Sequence, residues 1–364
     1  MKREFILICS VLLLHFLLLS VVARGNNIPV EKITVPENFT IELYASGLKT
    51  ARGLSFADNG MLFVGSKAGS VYAVRPDGTV LTIVEGLDWP VGLDFHKGDL
   101  YVSAHSRILR FKDILDHLRG NPELEVINDS FPKDRHHGWK FIKVGPDEKL
   151  YVPVGASCNV CDPDDERYAS IMRMDLDGRN LELYARGVRN TVGFDWHPKN
   201  GMLWFTDNGR DLMGDNIPPD EVNRAPQQGL HFGFPYLHGR NARDPKYWSR
   251  RPNVDFTQPE YELEAHVAAL GMRFYTGTLF PEYYRGGIFI AEHGSWNRSK
   301  KIGYRVIFLK LKGNAITDKQ IFAQGWLIGE RSWGRPVDVE VGPDGALYVS
   351  DDEAHCIYRI GYNP

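Results

Sequence analysis

The chain has 364 residues, 43% of them hydrophobic and 24% charged, with 36 glycines and 21 prolines. That balance excludes wholesale disorder and suits a turn-rich globular fold. The formal net charge of −3 leaves no general basic field for nucleic acid, and no nucleic-acid-binding motif occurs, so any charge recognition has to be local.

Lys2 and Arg3 precede an apolar run from Phe5 to Leu19 and then Val22-Ala23, the order of a secretory signal peptide. The run is short for a bilayer span, which takes about 20 residues. A signal peptide over 1–23 is therefore expected over a retained membrane anchor, followed by a linker over 24–35 and one domain over 36–364. Cys9 lies inside the apolar run, too early for lipoprotein cleavage. Export, periplasmic or secreted, permits disulfides. Cys158, Cys161 and Cys356 then remain, an odd count that leaves at least one unpaired or paired between chains.

The body repeats one phrase: an apolar segment, a tight Gly/Asp/Asn turn, then an apolar-aromatic strand. Phe39 to Tyr44 reads as a first strand placed to close a ring against the last repeat. Copies follow at Gly53–Phe56 with Leu62–Gly65, at Val91–Phe95 with Leu100–Ser103, and at Phe141–Val144 with Leu150–Val152. Further copies are Val192–Trp196 with Leu203–Thr206, a weaker Met272–Tyr275 with Ile288–Ala291, and Val337–Val341 with Leu347–Ser350. Each reads as a β-hairpin. Repeats of this kind at spacings of roughly 40 to 80 residues predict an all-β, six-bladed β-propeller with long loops on one face. The largest insertion is expected around 207–265. Helix is scarce, with only Ile114 to Leu118 reading as a short turn of one. A β-sandwich competes, but would not normally repeat one Gly-turn phrase six times.

A propeller places its polar groups at strand ends around the channel mouth, and five clusters stand there. Asp134-Arg135-His136-His137-Gly138-Trp139 offers a general base, though a pair of solvated loop histidines reads the same way. Arg189-Asn190 could hold a carboxylate or simply pair with an Asp. Asp207-Asn208-Gly209-Arg210-Asp211, with Asp215, Asp220, Glu221 and Asn223 behind it, is rich in oxygen donors suited to calcium. It does not match the EF-hand spacing, and an acidic surface loop is the alternative. His293-Gly294-Ser295-Trp296-Asn297-Arg298 sets a Trp beside cations, and Trp333-Gly334-Arg335-Pro336 opens the last repeat. Converged on one axis, Arg189, Arg298, Arg335, one or two His and the acidic turn would suit a planar polyanion bridged by a metal. Cys158-Asn159-Val160-Cys161 has no following His for haem, no second CxxC for zinc and no thioredoxin-like context. It is expected to be a structural disulfide, with Cys356 buried and free.

In order, these residues resemble the soluble glucose/sorbosone dehydrogenase family, closest to its sorbosone dehydrogenase-like branch. The resemblance runs from about Pro36 to Ile360 and rests on Arg52-Gly53-Leu54, His137 ahead of Gly145-Pro146-Asp147, Tyr151–Gly155 with Cys158 and Cys161, and Gly187-Val188-Arg189-Asn190. It continues through Phe205–Asp211 to Asn223, His293–Arg298 and Gly334–Val339. It implies a propeller that binds pyrroloquinoline quinone (PQQ) and calcium and oxidises sugars, passing electrons to a soluble or membrane acceptor. His137 falls on the family's catalytic base, Arg189 and Asn190 on its cofactor-binding pair, and Asn208 beside the cofactor. Gly209 and Arg210 fall where backbone carbonyls hold calcium, Arg335 on a residue gripping a cofactor carboxylate, and Arg298 in the blade that supplies another cation. The sequence departs from the glucose dehydrogenase members at His136, often Asp, and at Asp88-Trp89-Pro90-Val91-Gly92, which replaces a Gly-Gln-rich phrase. Val337 stands in place of a second Arg, and Arg210 in place of a Pro. Two other readings use the same residues: a calcium-dependent propeller lactonase or esterase, and a non-catalytic propeller binding a protein partner. A lactone does not call for three cations, and a protein-binding propeller does not need them in one cavity.

Overall fold

A computed structural model describes residues 28–119 and 122–364. The signal-peptide segment and Cys9 lie outside the described residues. Six sheets of four or five strands make the blades, each built on antiparallel strands that follow one another along the chain, with one parallel strand added to blade 3 and one strand of blade 6 drawn from the start of the domain. Blade 1 comprises Ala51–Phe56, Leu62–Ser66, Val71–Val74 and Val80–Val84, and blade 2 Leu93–His96, Asp99–Ala104, Arg107–Phe111 and Leu124–Asn128. Blade 3 runs Lys143–Val144, Lys149–Val154, Ser170–Asp175 and Glu182–Arg186, and blade 4 Phe194–Trp196, Leu203–Asp207, Glu221–Ala225 and Tyr261–Glu262. Blade 5 holds Ala269–Phe274, Ile288–Glu292, Arg305–Lys312 and Ala315–Gln324. Blade 6 holds Pro336–Val341, Leu347–Asp351 and Cys356–Tyr362, and its fourth strand is Phe39–Ser46 from the other end of the chain. The fold is thus the expected six-bladed propeller, closed by the expected strand, with Phe39 opposite Tyr362 and Ser46 opposite Cys356.

The middle strands of each blade are buried on both faces, as in Leu62–Ser66 and Leu203–Asp207, and so read as continuous apolar runs rather than alternations. Apolar clusters fill the wedges between neighbouring blades, for example Phe63 of blade 1 with Leu100 and Val102 of blade 2. The segment before the first strand also packs: Ile28, Val30, Ile33 and Val35 lie against the core of blades 5 and 6, and Thr34 bridges to Gln324.

The first strand of each blade faces the axis. Three aspartates in the repeated phrase stitch these strands together. Asp94 of blade 2 accepts from the Val144 amide of blade 3 at 2.8 Å, Asp195 of blade 4 from Phe274 of blade 5 at 2.9 Å, and Asp338 of blade 6 from Leu54 of blade 1 at 3.0 Å. Arg273 and Lys143 reach Glu340 at 2.8 and 3.5 Å, so the buried carboxylates are partnered, as burial demands. Glycines let the strands approach: a Cβ at Gly92 would meet the Lys140 carbonyl oxygen at 2.1 Å, and one at Gly193 the Leu270 oxygen at 2.3 Å.

Insertions gather within blade 4, between its third and fourth strands, Glu221–Ala225 and Tyr261–Glu262. Leu230–His231 adds a parallel fifth strand to blade 3, and a hairpin pairs Leu237–His238 with Ala242–Arg243. The Ile114 turn is a 3-10 helix, Ile114–His117. Cys158 and Cys161 are bonded to each other, and Cys356 is free and buried. Among the described residues no helix is long and apolar enough to cross a membrane.

Candidate functional site

A cavity of about 410 Å³ opens at one end of the axis, built from strand ends and adjoining loops of several blades. Its floor is apolar. Val192, Leu270 and Val337 pack together there with Trp139, and beneath them a void of only about 10 Å³ shares Arg52 with the cavity. Val337, one of the departures, is therefore part of this apolar cluster and borders the small void rather than the cavity.

His137 lines the cavity. Its backbone sits at φ 50°, an uncommon conformation for a residue with a Cβ, and Gly155 makes room, since a Cβ there would meet the His137 Cβ at 2.5 Å. Nδ1 is 2.8 Å from the Ala156 carbonyl oxygen. A carbonyl can only accept, so Nδ1 carries the proton and Nε2 keeps its lone pair. Burial, then the Arg189 charge, then His136 push the pKa down to about 2, which keeps the imidazole neutral at any physiological pH. His136 stacks edge-on against it at 4.1 Å and is the more exposed ring.

Arg189 is almost fully buried, its side chain 4% exposed. Nε donates to the Asn159 carbonyl at 2.9 Å, Nη2 to Asn159 Oδ1 at 3.0 Å and to Asp211 at 3.2 Å, and Nη1 to the Asn208 carbonyl at 3.1 Å. The bonded Cys158–Cys161 loop thus carries the residue that aims this guanidinium. The carboxylate of Asp207 accepts from the amides of both Arg189 and Asn190, at 2.8 and 2.6 Å, and burial raises its pKa. Asn190 and Asn208 both line the cavity. The side-chain amide of Asn208 donates to the Asn190 and Ala269 carbonyls at 3.0 and 3.1 Å, leaving its oxygen for a ligand.

Gly209 lines the same wall and donates its amide to Asp220 at 2.9 Å. Asp220 also takes the Ala269 amide at 3.2 Å, and burial pushes it up to about 6. Among the described residues neither the Gly209 nor the Arg210 carbonyl accepts a hydrogen bond, so both are available to a hard cation. No group of three or more His, Cys, Asp or Glu is arranged there or elsewhere among the described residues to hold a metal by side chains. The Arg210 side chain points away, bonded to the buried Asp244 at 2.6 Å.

Arg335 lines the cavity with Nε and Nη2 on the His293 and Gly294 carbonyls, at 3.1 and 2.8 Å. Arg298 is not among the lining residues. Its guanidinium donates to the Asp215 carbonyl and, at 3.3 Å, to the Ala265 carbonyl, tying its own loop to the insertion. A further cation of the cavity, itself buried, is Arg52 of blade 1, bonded to Asp352 at 2.7 Å and lying 5.2 Å over the Trp139 ring. Asp352 also takes Nε2 of His293 at 2.8 Å. Burial alone would raise the Asp352 carboxyl, but His293 and Arg52 hold it well below the usual range. Burial pushes His293 down to about 4.

The sequence reading missed the site roles of Arg52, His266 and His293. A signal for Arg52 existed: it stands at the head of the first repeat as Arg335 does at the head of the last. His266 precedes the weakest repeat and had none. The departing Asp88-Trp89 segment stands over the rim, where Asp88 holds Arg135 at 3.1 Å and Arg135 lies 4.6 Å over Trp89.

The family model described as Glucose / Sorbosone dehydrogenase matches residues 103–359. An uncharacterized protein from Borreliella burgdorferi is 35% identical over 100% of this chain and 99% of its own. The aldose sugar dehydrogenase YliI of Escherichia coli is 28% identical over 49% of this chain and 43% of its own. Among solved structures, the holo PQQ domain of a pyranose dehydrogenase from Coprinopsis cinerea superposes with a TM-score of 0.75 at 17% identity, covering 90% of this chain and 97% of that one. The apo soluble aldose sugar dehydrogenase of Escherichia coli does so with a TM-score of 0.68 at 18% identity, covering 89% and 100%. These likenesses bear on the fold, and the family match goes further: the chain belongs to the glucose/sorbosone dehydrogenase family of sugar oxidoreductases.

Proposed function

We propose that the protein is a quinoprotein dehydrogenase that oxidises an aldose or related hydroxy-carbonyl sugar, with PQQ and calcium as cofactors. The observation that carries this reading is the meeting of one unprotonated imidazole nitrogen, on His137, with three guanidinium groups, the buried Arg52 and Arg189 and the half-buried Arg335, in a single cavity. The residues fit the cofactor. A planar tricarboxylate needs several cations, which Arg52, Arg189 and Arg335 would supply, and the carbonyls of Gly209 and Arg210, which accept no hydrogen bond among the described residues, would serve to hold a calcium ion. When bound, PQQ would supply a two-electron acceptor for hydride, and calcium would supply Lewis-acid assistance to it.

The chain's own part is binding and proton handling. Arg335 and Arg52 pair with carboxylates of the ligand, and Arg189, with Asn190 and Asn208, holds its polar edge. His137 Nε2 would take the proton of the sugar hydroxyl as hydride leaves the carbon that bears that hydroxyl, while Nδ1 stays bonded to the Ala156 carbonyl. A bound polyanion offsets the Arg189 charge and so raises the basicity of His137 from its low resting value. The signal-peptide reading places this activity outside the cytoplasm, with a soluble or membrane electron acceptor. The Arg set weighs against a lactonase, whose substrate carries no carboxylates to pair.

Purified protein mixed with PQQ and calcium should develop a bound-quinone absorbance and oxidise aldoses. His137→Ala should lower kcat by about 10²- to 10⁴-fold while keeping the absorbance change. Arg335→Ala should instead weaken cofactor binding by about 10- to 100-fold, and His136→Ala should matter less than either. Full quinone-dependent turnover in His137→Ala, or no uptake of PQQ by the wild type, would end this reading.

A further inference from the structure

Trp296 is 72% exposed, although its indole belongs to the lining of the cavity. An indole left open to water at a cavity mouth keeps its whole face available for contact, an amphipathic surface of the kind enriched at binding sites. The loop that carries it is not loose. Ser295 donates its amide to Ile302 and accepts the Ile302 amide on Oγ, both at 2.9 Å, and Tyr304 donates to the Ser295 carbonyl at 2.8 Å. Gly294 stands at φ 104°, against the face of the Tyr304 ring. On the far side of Trp296, Asn297 reaches Asp211 at 3.5 Å, the Arg298 guanidinium is fixed on the Asp215 and Ala265 carbonyls, and Ser299 donates to Asp215 at 3.0 Å. Every neighbour is tied down and the ring alone is left free. The other tryptophan of the lining, Trp139, has Arg52 at 5.2 Å and Lys67 at 5.1 Å over its ring, so its surface is already in use.

A rigid, uncharged aromatic face at the open end of a cavity whose inner wall is cationic suits a ligand that is neutral, polar at its rim and apolar on one face. A pyranose has that chemistry: its axial C–H bonds form an apolar face and its hydroxyls point outward. Rigid aromatic side chains give such contact area at low entropic cost. We infer that Trp296 is the platform on which the sugar stacks as it enters the cavity, a substrate-binding residue on the loop whose His293 and Gly294 carbonyls Arg335 holds. The inference rests on the dehydrogenase reading for the chemistry that follows binding, and not for the binding itself. Leu212, also 72% exposed, follows Asp211 in the adjoining loop, so docking of a macromolecular electron acceptor on this rim is the competing use.

The test compares Trp296→Ala and Trp296→Phe with the wild type, using D-glucose and maltose as probes. With PQQ- and calcium-loaded enzyme, Trp296→Ala should raise KM for the sugar by roughly tenfold, with the loss carried in KM rather than kcat, and Trp296→Phe should recover most of it. Saturation-transfer NMR on unloaded protein should show sugar contact in the wild type and in Trp296→Phe, and lose it in Trp296→Ala. Wild-type protein that binds D-glucose in this Trp296-dependent way but transfers no electrons would defeat the dehydrogenase reading and support the platform. Enzyme that oxidises D-glucose with the same KM in both variants would overturn the platform and leave the dehydrogenase reading standing. A rise confined to the KM of the electron acceptor would also overturn it and assign the rim to the acceptor.

Discussion

His231 lies outside the cavity and shows what burial does to a titratable residue in this fold. Its Nδ1 accepts the Gly233 amide at 3.1 Å, so that nitrogen must stay unprotonated. Burial and then the Arg186 charge push its pKa from 6.5 down to about 4, against a smaller opposing pull from Asp162. Between those two values the unfolded chain binds a proton that the folded chain does not, so His231 takes stability away as pH falls from 6.5 to 4. His231→Asn keeps an acceptor near the Gly233 amide and removes the titration. Its melting temperature relative to the wild type should therefore rise steadily across that window and be level above pH 7. A constant difference from pH 4 to 8 would contradict the assignment. At this scale the sequence was partly legible. His137, Arg189, Asn190, Asn208, Gly209 and Arg335 were singled out and do line one cavity. Arg298 was placed by its blade alone, and a cation six residues past the end of a strand can turn either way. Its carbonyl partners at Asp215 and Ala265 come from an insertion that no repeat pattern reaches.

Elements explain why short loops hold so much of the site. The segment between Cys158 and Cys161 forms no strand, yet Asn159 serves three donors with two atoms. Its Oδ1 accepts from Arg189 at 3.0 Å and from the Asp211 amide at 2.8 Å, and its carbonyl accepts Arg189 Nε at 2.9 Å. Asn159→Ala deletes the first two and leaves a buried guanidinium short of a partner. It should cost about 1.5–3 kcal/mol in denaturant unfolding and speed hydrogen exchange at the Asp211 amide, with the far blades unchanged. An effect below about 0.5 kcal/mol would mean that water replaces the side chain without loss. The pairing of the two cysteines could be read from their spacing and the expected compartment. The purpose of the loop could not, because Asn159 and Arg189 are joined only in three dimensions. The same contrast holds along the axis. Asp94, Asp195 and Asp338 recur visibly in the repeated phrase, but only the structure shows each taking an amide from the next blade. Strands of two residues, such as Leu230–His231 and Leu237–His238, carry no period at all and were invisible in the 207–265 insertion.

For the whole molecule the decisive contact is the one between the chain's ends. A propeller has no covalent closure here, so blade 6 is completed only when Phe39–Ser46 pairs with Cys356–Tyr362. The alternating apolar and polar residues of that first strand made it readable as a strand, and its place ahead of the first repeat made it the candidate for closure. Phe39 anchors it. It is 8% exposed, and its ring meets Phe280 at 4.8 Å, Tyr284 at 5.3 Å, Phe322 at 5.0 Å and Tyr362 at 4.9 Å. These partners come from blades 5 and 6, so one side chain couples the closing strand to two blades. Phe39→Ala removes a buried ring and leaves a cavity among aromatics that cannot readily collapse, at a cost of about 3–5 kcal/mol. If closure holds the whole ring together, that cost should appear as one shifted unfolding transition, seen alike by tryptophan fluorescence and far-ultraviolet circular dichroism with an unchanged denaturant slope. A separate early transition confined to blades 5 and 6, with the main transition unmoved, would show instead that the closing strand is a detachable flap and that the other blades stand without it.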